Sequence, residues 1–354
     1  MASKPKRSHV TFKEVATALL DNCRPFSPRY LHHFSDISSS DLEDLKKIWL
    51  QVNLDRRVAL LEDLEELAEA DTVVSFNGVA RFALSDPEGR VRATAIRLMW
   101  ESDDVRLVPV FTKMMFEDKE EIVRAQAASA LGLFVYIGEL EAIPSFSHQK
   151  IEDDLLKVLS GTDNPIVRRR ALESLGFSGR EEVSVLIRKA YDDGDTQWLA
   201  SALFAMGRSA DEQWEESILK NLDHSDPDVQ VEAIRAAGQL ELDSAREPLL
   251  KKIGESEGLD VDLRAAVIWS LSQIGGERVR EELDKLYDAT EDESEAEYIE
   301  DAMDNLSFTN GVTDLGMLGI PVDEEEQLNT IIDINDQEGD YESGDHKHRK
   351  KKHD

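Results

Sequence analysis

Hydrophobic and polar positions alternate along this chain in a ten-residue pattern that returns seven times. In its clearest copies the pattern reads Val-Arg-x-x-Ala-x-x-x-Leu-Gly, and the copies begin at Val91, Val123, Val167, Trp198, Val229, Leu263 and Tyr298. The fifth position holds Ala95, Ala127, Ala171, Ala202, Ala233, Val267 and Ala302, so a small apolar residue recurs at one helical position. Apolar residues three and four apart mark one face of an α-helix. Successive copies start 32, 44, 31, 31, 34 and 35 residues apart. Such a period holds two helices and no more, which predicts stacked helix pairs that bury their apolar faces only against neighbours. The predicted fold class is all-α, an alpha-alpha superhelix.

Between the copies lie leucine-rich stretches with their own helical stripe, such as Leu107, Val110, Phe111 and Met114, or Val183, Val185, Leu186 and Ile187. Turns such as Asp86-Pro87-Glu88-Gly89 and Asp226-Pro227-Asp228 separate the two kinds of helix. Asp satisfies free N–H groups at a helix start, and Pro presets the backbone there. Gly132, Gly176, Gly207 and Gly238 recur at the tenth position, where a side chain would crowd the next helix; Trp100, Ser272 and Ser307 stand there in the other copies. The one long spacing places an insertion at Leu133–Lys150. It reads either as an edge loop where binding concentrates or as a lengthened helix pair with no role.

The flanks differ. Residues 1–40 read as an N-terminal extension that becomes helical over Thr11–Leu20 and is broken at Pro25 and Pro28. Residues 41–84 keep the helix lengths but lose the pattern, as expected of a cap shielding the first face of an array. The repeats proper occupy 85–308. Residues 309–345 carry eleven acidic residues and no Lys or Arg, which predicts a disordered acidic tail across 309–354 with a basic His/Lys-rich end at 346–353. Within that tail, Leu328, Ile331, Ile332 and Ile334 read either as a short docking motif or as part of a solubilising segment. The basic end reads as an exposed charged terminus or as a binder of metal or acidic surfaces.

Composition narrows the function. A formal charge of −33, from 74 acidic and 41 basic residues, opposes binding to nucleic acid or anionic membranes. Cys23 is the single cysteine, which excludes an internal disulfide and a multi-thiolate metal site. No secretory signal and no apolar run of membrane-spanning length is read, so a cytoplasmic monomer is expected.

The stretches Asp86-Pro-Glu-Gly-Arg-Val-Arg-x-x-Ala, Ile122-Val-Arg-x-x-Ala, Pro165-Ile-Val-Arg-x-x-Ala and Leu263-Arg-x-x-Val-Ile-Trp-Ser-Leu resemble the HEAT-repeat superfamily, and more narrowly its short bacterial type, also found in phycobilin lyases. The resemblance covers 85–307, with a weaker extension to about 41. It implies a HEAT-type solenoid whose signature helices line the concave side. It also implies a ladder between turn aspartates and signature arginines, here Asp86, Arg92, Asp118, Arg124, Arg168 and Arg264. Leu199, Gln230 and Ile299 replace the arginine in the other copies, which interrupts the ladder there.

Chemistry is sparse. Some HEAT proteins hold two irons through His-Glu pairs, and this chain contains no His-Glu dipeptide. Phosphate-binding and serine-nucleophile motifs are missing, and carboxylate pairs such as Glu65-Glu66 read as solvated helix faces. A cationic groove of the kind a helical-repeat DNA glycosylase needs is opposed by Glu173 and Asp304. The expectation is therefore a protein-interaction scaffold, not an enzyme, with no cofactor, no metal and an unidentified protein partner. Arg97, Trp100, Phe204, Arg235 and Trp269 are expected to face the groove, being large or charged where other copies carry small residues. The alternative is a bilin-lyase-like enzyme or a chaperone of a tetrapyrrole-binding protein, in which the same aromatic residues would contact the pigment.

Overall fold

A computed structural model of the chain describes residues 10–254 and 259–317, with side chains through Ser307. Among the described residues the elements are helices, and no strand occurs. The chain divides into two compact units, Met1–Ser270 and Leu271–Asp354.

The first unit opens with α1 (Phe12–Leu20), where Thr11 and Glu14 form a capping box. A 3-10 segment follows Pro28, and then come α2 (Ser39–Ile48), α3 (Leu54–Ala70) and α4 (Asn77–Ala83). The repeats begin with α5 (Gly89–Arg97) and continue through α6 (Val108–Glu117), α7 (Glu121–Glu139), α8 (Ser145–Leu159), α9 (Pro165–Leu175), α10 (Glu181–Tyr191), α11 (Thr196–Arg208), α12 (Glu215–Leu219), α13 (Pro227–Gln239) and α14 (Arg246–Gly254). α15 (Val261–Ile274) carries the boundary between the units. In the second unit, α16 (Val279–Ala289) packs against α17 (Glu293–Met317). The acidic tail expected from 309 is helical backbone as far as Met317; from 318 onward it lies outside the described residues, as do residues 1–9.

The signature explains the packing. Helices α5, α7, α9, α11 and α13 each pack against the next, and α6, α8, α10 and α12 each pack on the signature helix that follows. Val91, Val123, Val167 and Val229 are fully buried, and so are Ala95, Ala127, Ala171, Ala202 and Ala233. The tenth-position glycines touch the eighth position of the next copy. An added Cβ would lie 2.9 Å from Ser174 Oγ at Gly132, 2.8 Å from the Ala205 carbonyl at Gly176, and 2.9 Å from Ala236 Cα at Gly207. At Gly238 it would lie 2.8 Å from Ser270 Cα. The eighth-position residues are small for the same reason, and the serines among them also tie the helices. Ser174 Oγ donates to the Ala128 carbonyl at 2.9 Å, and Ser270 Oγ to that of Ile234 at 2.8 Å.

Of the two readings of the insertion at 133–150, the structure has the lengthened helix pair: α7 runs to Glu139 with Leu131, Phe134 and Val135 buried, and α8 starts at Ser145. α7 meets no proline along its length and closes at Leu140, ahead of Glu141 in the left-handed region at φ 57°. In the leucine-rich helices, Val110 and Val185 belong to the expected stripes yet are exposed, leaving Phe111, Val183 and Ile187 to fill the core.

Candidate functional site

Arginines and aspartates form a ladder along the first repeats, from α3 to the turn before α9. Arg57 of α3 pairs with the buried Asp86, which also accepts from Trp49 Nε1 at 2.6 Å. Arg92 grips Asp118 with two bonds of 2.8 and 2.6 Å and donates to the carbonyls of Asp86 and Pro87. Arg124 does the same to Asp163, at 2.8 and 2.6 Å. Asp163 stands four residues before its signature start instead of five, and Arg57 lies outside the repeat pattern, so spacing alone missed both. The ladder stops at Arg168. That side chain donates to the Leu159 carbonyl at 2.8 Å and lies over the Trp198 ring at 5.4 Å, with no aspartate in its place. Gln230 keeps only the carbonyl contact, to Leu222 at 2.8 Å. Arg264 lies half-buried on α15, and its backbone N–H donates to the Asp260 carbonyl at 2.9 Å.

Of the five residues expected to face a groove, the structure brings two together. Phe204 and Arg235 line a groove of about 540 Å³ across α9, α11 and α13. Arg97 instead turns back to α3, where Glu65 takes its guanidinium at 2.6 Å. Trp100 is not on a signature helix: α5 ends at Arg97, and the indole stands in the following turn, 52% exposed. That early ending removes the need for glycine at this copy's tenth position. Trp269 is half-buried, and its ring occupies the space beside Gly238.

The groove is built from the third, fourth and seventh signature positions of three consecutive copies. These are Arg169, Arg170 and Glu173, then Ala200, Ser201 and Phe204, then Val231, Glu232 and Arg235. Such positions share one helix face. Ala200 and Ser201 keep its middle low, and Asp228, Asp260 and Asp262 add carboxylates around it. Arg170 bonds Glu173 at 2.6 Å, and Ser201 Oγ donates to the other Glu173 oxygen at 2.7 Å. Arg208 lies 4.1 Å over Phe204 and 4.6 Å over Phe177. Burial lowers its pKa to about 10, which leaves it charged at neutral pH. Glu232 is the anomaly. Burial raises its pKa, Arg235 reaches one oxygen only at 3.5 Å, and the buried Oε2 finds no donor among the described residues. Glu232 stands at the fourth signature position, whereas the expected groove residues stand at the seventh and tenth; the adjoining third and fourth positions carry the signal.

A second cluster lies at the α7–α8 turn, where Glu139, His148 and Glu152 bring potential ligand atoms within 4.8 Å of one another. The sequence, which contains no His-Glu dipeptide, predicts no metal site here.

No helix among the described residues is long and apolar enough to cross a membrane. Among curated proteins none matches the chain. Similar solved structures include Escherichia coli YibA, 16% identical over 80% of this chain and 98% of that one, with a TM-score of 0.40. Importin beta is 12% identical over 87% of this chain and 45% of its own length, also with a TM-score of 0.40. Human deoxyhypusine hydroxylase, solved in complex with glycerol, is 14% identical over 84% and 96%, with a TM-score of 0.34. The family model for HEAT repeats matches residues 79–146 and 215–306. With small residues meeting at the tenth and eighth positions of successive copies, the chain carries HEAT repeats across those two matched stretches.

Proposed function

We propose that this chain is a protein-interaction scaffold, without catalytic activity, whose groove across α9, α11 and α13 receives a basic segment of a partner protein. The observation that carries this reading is the half-buried Glu232 carboxylate, whose Oε2 is shut off from solvent and meets no donor among the described residues. An unsatisfied buried carboxylate is costly, and a Lys or Arg side chain entering the groove would relieve it. Five carboxylates against three guanidiniums make the lining acidic, as does the whole chain at −33. Phe204 offers the aliphatic stem of the incoming residue an apolar surface. A monomeric state and a cytoplasmic location, expected from the sequence, belong to the same proposal.

Calorimetric titration with an arginine-rich peptide tests it. Wild-type protein should bind, and Glu232→Gln should bind about tenfold more weakly, the scale of one charge-assisted hydrogen bond. The raised pKa means that Glu232 favours folding below about 4.3 and ceases to do so as pH rises through its folded value. At pH 7 the glutamine variant should therefore melt at or above wild type, so that lost binding cannot come from lost folding. Equal binding by the variant, or a preference for an acidic peptide, would overturn the reading.

A further inference from the structure

The lengthened helix pair gathers three side chains at its turn. Glu139 ends α7, His148 lies in the first turn of α8, and Glu152 follows four residues later on the same face. His148 Nε2 stands 3.7 Å from Glu139 Oε1 and 3.7 Å from Glu152 Oε1. Those distances are too long for hydrogen bonds, and Nε2 is buried with no hydrogen-bond partner among the described residues. Two ligands of a tetrahedral ion, each about 2.1 Å from it, stand about 3.4 Å apart. The imidazole and the carboxylates are thus spaced to share a cation, not to bond one another.

The geometry points to a binding site for a divalent transition metal of the zinc class, with Glu139, His148 and Glu152 as protein ligands and water completing the shell. The ligands are held from behind, as metal ligands require. Glu139 Oε1 accepts from the Gly179 N–H at 2.8 Å, and Glu152, with its side chain 3% exposed, accepts from Ser178 Oγ. Gly138 makes room for the imidazole: a Cβ there would lie 2.3 Å from His148 Cδ2. Arg180 approaches Glu152 only to 3.8 Å, because Asp153 and Glu182 hold its guanidinium at 2.7 and 2.6 Å. Among the described residues the buried carboxylate therefore lacks a closely bonded cation. A mixed imidazole and carboxylate set favours zinc or cobalt over magnesium. Bound there, the ion would tie the end of α7 to α8 and to the turn before α10.

The test is titration of the full chain with Zn²⁺, and with Co²⁺ for its visible absorption. Because His346, His348 and His353 also offer imidazoles, the measure is the difference between variants of the same chain. Wild type should bind one equivalent more than His148→Gln, and Glu139→Gln, a change at an exposed side chain, should weaken that equivalent tenfold or more. Zinc should raise the melting temperature of wild type above that of either variant, and Mg²⁺ should not. Equal stoichiometry and affinity in wild type and both variants, or an equal response to Mg²⁺, overturns the assignment.

Discussion

Gly176 shows at the residue scale why the repeat signature is so uniform. An added methyl group would stand 2.8 Å from the Ala205 carbonyl oxygen and 2.9 Å from Ala205 Cα, both backbone atoms of a neighbouring helix. Neither atom can yield without moving α11, so Gly176→Ala should cost about 1–3 kcal/mol, the scale of an overpacked core. Urea unfolding measures this, with Gly254→Ala as the control, because a Cβ at Gly254 meets nothing within 4 Å. Equal midpoints for the two variants would show that the helices slide freely past one another. The same closeness controls the groove, since Phe204 precedes Ala205 on α11 and would be displaced with it.

At the element scale, turns are joined by charge as well as by packing. Asp163 is held below the usual carboxylate range, first by the hydrogen bonds from Arg124, against a smaller opposing effect of burial. A depressed pKa means that the pair stabilises above the unfolded value of about 3.9 and fades as pH falls through the folded value. Asp163→Asn should therefore lower the unfolding midpoint at pH 7, and the gap from wild type should narrow below about pH 4. A gap that stays constant down to pH 2.5 would assign the loss to packing. The pair is half of a fork that also holds the Asp118 carbonyl at 2.9 Å, so it orders the turn that leads into α7 as well as the one before α9.

For the whole molecule the dominant quantity is its charge of −33. Self-repulsion of that size destabilises compact states and is screened by salt over about 10 Å at 0.1 M. The melting temperature should therefore rise as sodium chloride is raised from 10 to about 200 mM, and then level off. A fall over that range would mean that pairs such as Arg92–Asp118 outweigh the general repulsion. The same field favours basic partners and weakens their binding as salt increases.

The sequence alone determined the helical class, the repeat register and the solvent-excluded Val and Ala positions, because these depend on a period that each copy states independently. It also showed which copies lack the ladder arginine. It did not determine which large residues meet. Arg97, Trp100 and Trp269 satisfied the same pattern as Phe204 and Arg235, yet they lie elsewhere, since Glu65, an early helix end and Gly238 decide their directions. Only the tertiary structure could bring Glu232 into the groove beside Phe204, or Glu139 to His148 and Glu152. Those encounters depend on the distance between neighbouring helices and on where each helix stops, quantities set by packing across units and not by the spacing within one.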